Sequence, residues 1–349
     1  MAFYRCPKCK KTWQYPIEKC PNCFLKLEKL KSTKIRVAGI SKVQIPTMFH
    51  PKTPYFVLLL EDENGNKWVQ KTVKEYEIGD LFKVEPCTDK KAVAIWRVKY
   101  DIFEAIEMVI ELLGGIIPHQ KSWRGAKILI LPTLISPKHP HLAENTSPEF
   151  LESTIKHLLE NGAKIENIKV AGQSFDEIPI EASAKKSQLS KVCKEFNILP
   201  INLAQGEFIK KDSFEISKEV FNSDLIVSLP ILKMGKISAT ENILKLLKKE
   251  NYLGLKYLYS EKEIFKKLKD ALPEIFTLAE AQSIQKPNGF IAHLGLVLAS
   301  FNSLNLDKIL FEATNFKDLP EILKGIKIED IPIFGREIEE VQFNAEKYG

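Results

Sequence analysis

The chain has 349 residues, 44% hydrophobic and 28% charged, a composition that excludes a largely disordered protein and suggests two or three folding units at roughly 150 residues each. The formal net charge of +6 is too small to imply nucleic acid by itself. It is also unevenly placed: residues 1–36 carry 10 Lys/Arg against 2 acids, a net of +8, so the rest of the chain sums to −2. The N-terminus lacks the apolar stretch of a secretory signal, and no apolar run approaches the ~20 residues of a membrane span. Four of the six cysteines fall in two CxxC pairs, a usage that goes with metal or redox sites rather than a disulfide framework. A cytoplasmic, soluble protein is expected.

Cys6-Pro7-Lys8-Cys9 and Cys20-Pro21-Asn22-Cys23 form C-x2-C-x10-C-x2-C. Two thiolates three residues apart on a tight turn can face one cation, and a second such turn completes a tetrahedral S4 shell. Four protein ligands leave no open position, so the expected site is structural, with zinc as the ion and a rubredoxin-like iron site as the competitor. Lys10, Lys11, Trp13 and Tyr15 between the knuckles read as a nucleic-acid surface or as the filling of a small ribbon core; packing is the expectation.

Residues 34–100 read as all-β. Short apolar runs at 35–40, 55–60, 67–73, 81–84 and 92–98 are separated by turn chemistry such as Asn64-Gly65-Asn66 and Gly79-Asp80. Five short strands in this span suggest a small OB-type barrel. With the two knuckles, the stretch TPYFVLLLEDENG and the stretch EIGDLFKVEP, the head resembles the zinc-ribbon/OB proteins of domain-of-unknown-function family 35. That resemblance implies a protein partner, an acyl-CoA enzyme such as a thiolase or synthase.

Beyond residue 100 helices and strands alternate. Helices are expected at 102–113, at 148 onward behind a Ser147 cap with Pro148 in the first turn, at 187–196, at 240–250 and at 306–314. Strands are expected at 127–131, 168–171, 198–203, 224–228, 294–300 and 331–334. Alternation with near-continuous apolar strands predicts an α/β fold, a mostly parallel, doubly wound sheet. Three domains follow: a ribbon at 1–30, a barrel at 31–100 and the α/β domain at 101–349.

The stretches AKILILPTLISP, NTSPEFLESTIKHLLENGAKIENIKVAGQS, SDLIVSLPILKMGKISATENILKLL, LNLDKILFEAT and IEDIPIFG resemble domain-of-unknown-function family 362, over about 101–340, a family distantly like the N-terminal domain of the nickel-pincer lactate racemases. Against that pattern, Leu131-Pro132-Thr133 stands where Lys-Pro-Asn is usual, Gly172-Gln173-Ser174 for Gly-Asp-Ser, and Pro230-Ile231-Leu232-Lys233-Met234-Gly235 for Pro-Lys-Leu-Lys-Thr-His. A Lys, an Asp and a His are thus missing at strand ends, where open α/β sheets place their chemistry. Only Cys87 and Cys193 lie outside the knuckles, too few to ligate the iron–sulfur clusters of some members, so no such cluster is expected. The implied protein is a degenerate member with a binding or scaffolding role.

The helix start at Ser147 offers free N–H groups to an anion. A small carboxylate or phosphate held by Thr133, Ser147, Ser174 and Lys233 is the sharpest small-molecule expectation, against a Ser147 that merely caps its helix. His139-Pro140-His141 with Glu144 reads as a solvated loop rather than a metal site, His157 and His293 as packed residues, and the Lys-rich 245–269 as a solvated helix face. No Walker sequence, GxGxxG, HExxH or GxSxG is present. Three functions stay open: an accessory protein whose head docks a partner and whose α/β domain binds a small anion, an enzyme acting on a small carboxylate or phosphate, and an RNA or single-stranded DNA binder acting through the basic ribbon and barrel.

Overall fold

The computed structural model describes residues 3–14, 17, 19–30, 34–46, 53–72, 74–82, 87, 89–99, 101–116, 125–176 and 178–343. The chain forms two compact units, 1–85 and 86–349. In the first, β1 (Phe3–Arg5), β2 (Thr12–Trp13) and β3 (Glu28–Leu30) form a small antiparallel sheet in the order β2-β1-β3. A second antiparallel sheet follows from β4 (Ile35–Val43), β5 (Tyr55–Asp62) and β6 (Lys67–Thr72). Alternate residues of β5, Phe56, Leu58 and Leu60, are buried with Phe3, Val37 and Trp68, the period-2 pattern of a half-buried strand. The expected strand at 81–84 enters as a short run beside β4: Val37 N–H donates to Asp80 O (2.9 Å) and Phe82 N–H to Ile35 O (2.8 Å). Residues 83–86 lie outside the described part. Among the described residues this sheet is open rather than a closed barrel.

The run at 92–98 corrects the expected boundary. β7 (Val93–Arg97) pairs not with the head but with β16 (Ile291–Ser300) and β17 (Ile333–Gly335) in the large sheet. Val93, Ala94 and Ile95 are all buried, and a run apolar on both faces fits a strand covered on both sides better than one with a wet face. The division therefore falls at 85/86 rather than at 100/101.

The second unit is built on a nine-stranded, mostly parallel sheet. Its other strands are β8 (Ile128–Pro132), β9 (Ile168–Gly172), β10 (Ile201–Asn202), β13 (Leu225–Leu229), β14 (Ile231–Lys233) and β15 (Glu274–Gln285); β11 (Phe208–Lys211) and β12 (Phe214–Ser217) make a separate hairpin. The order is β10-β9-β8-β13-β15-β16-β7-β17, with β14 beside β15. β8 and β13, ILILP and LIVSL, are buried throughout. Their alternate residues serve opposite faces: Ile128, Ile130, Leu225 and Val227 join one core, Leu129, Leu131 and Ile226 another.

The first face is covered by α1 (Ile102–Leu112), α2 (Pro148–Glu160), α3 (Ile180–Lys186) and α4 (Leu189–Glu195). After the short α5 (Lys218–Phe221), the opposite face receives α6 (Ser238–Leu244), α7 (Lys249–Leu255), α8 (Glu261–Ala271) and α9 (Ser303–Ala313); α10 (Ile338–Val341) follows the last strand. No helix among the described residues is long and apolar enough to cross a membrane.

Three expectations need correction. The helix expected at 240–250 is two helices, because the hairpin takes the backbone between them: Ser217 N–H donates to Leu246 O and Lys248 N–H to Glu215 O. Lys245, placed on a solvated face, is buried, its ammonium 3.5 Å from Glu241. His293 is exposed rather than packed, since it sits near the turn end of β16, whereas His157 is buried.

Two helix N-termini are closed by buried carboxylates from other elements. Ser147 Oγ caps α2 by accepting from Phe150 N–H, while the Ser147 N–H donates to Glu280 Oε2 of β15 at 2.8 Å. At α6, Ala239 and Thr240 donate their N–H groups to the two oxygens of Asp307 on α9 (2.9 and 2.8 Å). Burial pushes both acids up to about 7, against the lowering effect of those hydrogen bonds.

A folded pKa above the unfolded value means that stability is fully present below about pH 4 and lost as pH rises through 7. Thermal midpoints should therefore climb from pH 8 to pH 5, and the climb should flatten in Glu280→Gln with Asp307→Asn. A second expectation concerns Gly335, which has φ +88°, and where a Cβ would lie 2.3 Å from Ile95 O. Gly335→Ala should cost about 2–4 kcal/mol in urea unfolding, from strained backbone and a parted β7–β17 pair.

Candidate functional site

The four knuckle cysteines meet. Cys6 and Cys20 are buried, Cys9 and Cys23 half-buried, and their Sγ atoms all lie within 4.8 Å of one another, Cys9 to Cys20 at 3.6 Å. A tetrahedral shell with ~2.3 Å metal–sulfur bonds has edges of about 3.8 Å, so this donor set fits one ion. Each knuckle is shaped by the same two backbone bonds. Lys10 N–H donates to Cys6 O and Cys6 N–H to Lys11 O; Phe24 N–H donates to Cys20 O and Cys20 N–H to Leu25 O. Cys9 N–H points at Cys6 Sγ (3.5 Å), a donor suited to a thiolate. Tyr4, Trp13 and Ile17 pack against the cluster, so Trp13 fills the ribbon core; Tyr15 lies outside the described residues. With four protein ligands the centre can staple the fold and has no free position for chemistry.

The second candidate lies at the C-terminal ends of the parallel strands, where an open α/β sheet receives ligands. Thr133 follows β8, Ser174 follows β9, Lys233 ends β14, and Ser147 opens α2. Three of these four are satisfied within the fold. Thr133 Oγ1 donates to Asn242 Oδ1 (3.2 Å) and accepts from Ile231 N–H (3.3 Å). Ser174 Oγ donates to Ile135 O and accepts from Asp176 N–H, both at 3.2 Å. Ser147 is the cap described above, its N–H taken by Glu280.

Lys233 is different. It is 9% exposed, and its ammonium has no hydrogen-bond or ion-pair partner among the described residues. Burial lowers its pKa to about 8, against the raising effect of Glu144 and Glu241 and with the help of Lys236 and Lys245. Glu144 is already engaged: Lys138 Nζ donates to it at 2.8 Å, Ser136 Oγ at 2.5 Å and Gln285 Nε2 at 3.4 Å. Burial pushes Glu144 up, but those bonds and the lysine charges outweigh it and hold it below the usual range. Counting Lys138, Lys233, Lys236 and Lys245 against Glu144 and Glu241 leaves a local excess of positive charge.

Several residues at these strand ends are built into the packing. Gln173 is buried, and its amide donates to the carbonyls of Lys245 and Leu247. At Gly235, φ is +73° and a Cβ would lie 2.7 Å from Cζ of Phe316; the ring fills the space of the side chain expected there. Asn242 ties Leu131 O and Ser228 Oγ to the same edge. His139 and His141 are exposed, with Nδ1 atoms 2.7 Å apart, and among the described residues no cluster of three or more His, Cys, Asp or Glu suited to a metal forms outside the knuckles. Sequence reasoning misses Glu280 and Asp307 altogether, and sees Glu144 only as part of a solvated loop. Glu280 sits in a mostly apolar strand and Asp307 beside Lys308 on α9, and no spacing betrays that each reaches the N-terminus of a helix distant in sequence.

No curated protein matches this chain. Among solved structures, one described as "Ltp2-ChsH2(DUF35) aldolase" is 26% identical over 23% of this chain and 67% of its own, with a TM-score of 0.19, too low to carry an argument about fold or function. The family comparison covers the strand ends themselves: residues 128–240, from β8 into α6, match the family described as Domain of unknown function (DUF362).

Proposed function

We propose that this chain is an accessory protein in which the α/β unit holds a small carboxylate or phosphate at Lys233 and a zinc-stapled head serves as a docking module. The observation that carries the anion site is Lys233, a side chain 9% exposed whose ammonium has no hydrogen-bond or ion-pair partner among the described residues, at an edge where Thr133, Ser147 and Ser174 are satisfied internally. An unpaired buried cation is destabilising, and an anion seated on it would supply the missing charge with a charge-assisted hydrogen bond. The engagement of the nearby carboxylates favours binding over catalysis: Glu144 is held ionised by Lys138 and Ser136, Glu280 is spent on the Ser147 N–H, and the place of a side chain at 235 is filled by Phe316.

Zinc is the ion this donor set suits best, because a closed S4 shell needs no redox chemistry and gains folding stability directly from the metal. The head's packing supports a structural role, since its cluster buries only Cys6, Cys20 and Leu27.

Two outcomes test this reading. In thermal-shift titrations with inorganic phosphate and with succinate, one of the two should raise the wild-type midpoint with concentration. Lys233→Met should be about 1–3 kcal/mol more stable than wild type without ligand, because it removes a lone buried charge, and should not respond to either anion. A wild-type response in Lys233→Met would refute the site. Metal analysis should give one zinc per chain and none in Cys6→Ser; a coloured, iron-containing wild type would overturn the zinc assignment.

A further inference from the structure

The two knuckles are near copies, and they differ where it matters. In each, the residue after the second cysteine turns left-handed: Lys10 at φ 59° and Phe24 at φ 55°. Glycine or asparagine suits this position, and a bulky side chain there is a true outlier. Phe24 is also 77% exposed, so its ring adds no core packing in return for the strain. Other rings of the head are used: Tyr4 and Trp13 pack on the cysteine cluster and Phe3 lies against Trp68. An observed backbone outlier of this kind points toward function.

Exposed lysines lie on and beside the same two turns. Lys8, Lys10, Lys11, Lys19 and Lys26 are all exposed, and none has an ion-pair partner among the described residues. Glu28 is the one acid described between residues 3 and 30. The four sulfurs lie within 4.8 Å of one another, so the two turns, with exposed lysines on both and the exposed ring on the second, belong to one small tip. Positive charge around an exposed aromatic face selects a polyanion that also offers flat π-faces. An acidic peptide supplies the charge without the stack, and a duplex hides its base faces.

We propose that the tip of the two knuckles is a docking surface for single-stranded nucleic acid, with Phe24 as the stacking platform and Lys8, Lys10, Lys11, Lys19 and Lys26 facing the phosphates. This rests on the docking role proposed for the head and is independent of the anion site at Lys233.

The test uses the full, metal-loaded chain and a fluorescent oligouridine of about 15 nucleotides, within the footprint range of small single-strand binders. Anisotropy should show binding at low salt, with log K falling against log salt at a slope of about −3.5 for five phosphate contacts, and Lys10→Gln should reduce that slope by about 0.7. Phe24→Gly should bind roughly tenfold more weakly, the loss of about one stacked base. The same variant should hold its metal against a chelator at least as well as wild type, because glycine relieves the left-handed strain. Phe24→Tyr should restore binding. Three results would overturn the proposal: no binding at low salt, unchanged affinity in Phe24→Gly, or polyglutamate competing as well as the oligonucleotide, which would give the surface to an acidic protein.

Discussion

Backbone donors at the carboxyl ends of parallel strands have to be satisfied by something. Helices that follow such strands begin there with free N–H groups and a positive dipole end, and in open α/β sheets a bound anion commonly answers them. Here the chain answers them itself. Glu280, in the middle of β15, reaches Ser147 at the head of α2, and Asp307, on α9, receives two N–H groups of α6. Each bond joins elements more than 60 residues apart in sequence, so helices on both faces of the sheet are held in place by carboxylates that belong to the fold. Both acids are taken fully out of water to do this, which is why burial dominates their titration.

Once those donors are closed, the chemistry left at the edge is narrow. Asn242 and Gln173 spend their amides on carbonyls of neighbouring segments, and Phe316 occupies the space over Gly235. Lys233 is the exception, and its surroundings explain its charge balance. The carboxylate that acts on it most strongly, Glu144, is held by Lys138 and Ser136 on its own loop. At this edge Lys233 is mostly buried and its ammonium makes no hydrogen bond or ion pair among the described residues, while Thr133, Ser147 and Ser174 each have a partner within the fold.

The fold class is legible in the sequence because β8 and β13 are apolar at every position but Pro132 and Ser228, a pattern that only a strand covered on both faces can bury. The Ser147-Pro148 helix start and the knuckles are legible because caps and thiolate spacings act over three or four residues. What escapes are facts of long range. β7 reads like any short head strand, and only its pairing with β16 and β17 places it in the other unit. β15 is invisible because Thr277, Glu280 and Gln282 interrupt its apolar run, while in the fold Glu280 is buried as a helix cap. Ser147 does start a helix; its free N–H groups read as an invitation to an anion only because the carboxylate that takes one of them lies 133 residues away.

The head shows the opposite economy. Apart from the core under β5, only Cys6, Cys20 and Leu27 are buried around the knuckles, so an ion held by the four sulfurs would do most to hold those turns. Structural metal binding in small ribbons is worth on the order of 10 kcal/mol, against a cost of about 1–3 kcal/mol for a bulky residue in a left-handed turn. A metal-held knuckle can therefore carry a strained, exposed Phe24 that a small core of the same size would not tolerate. In the α/β unit the two left-handed positions pressed closest by neighbours, Gly235 and Gly335, are glycines, and the buried left-handed residue that is not, Ala143, carries only a methyl group. A bound ion would free the tip of the head from packing constraints, and the exposed lysines and the unpacked ring occur together on the turns it would hold.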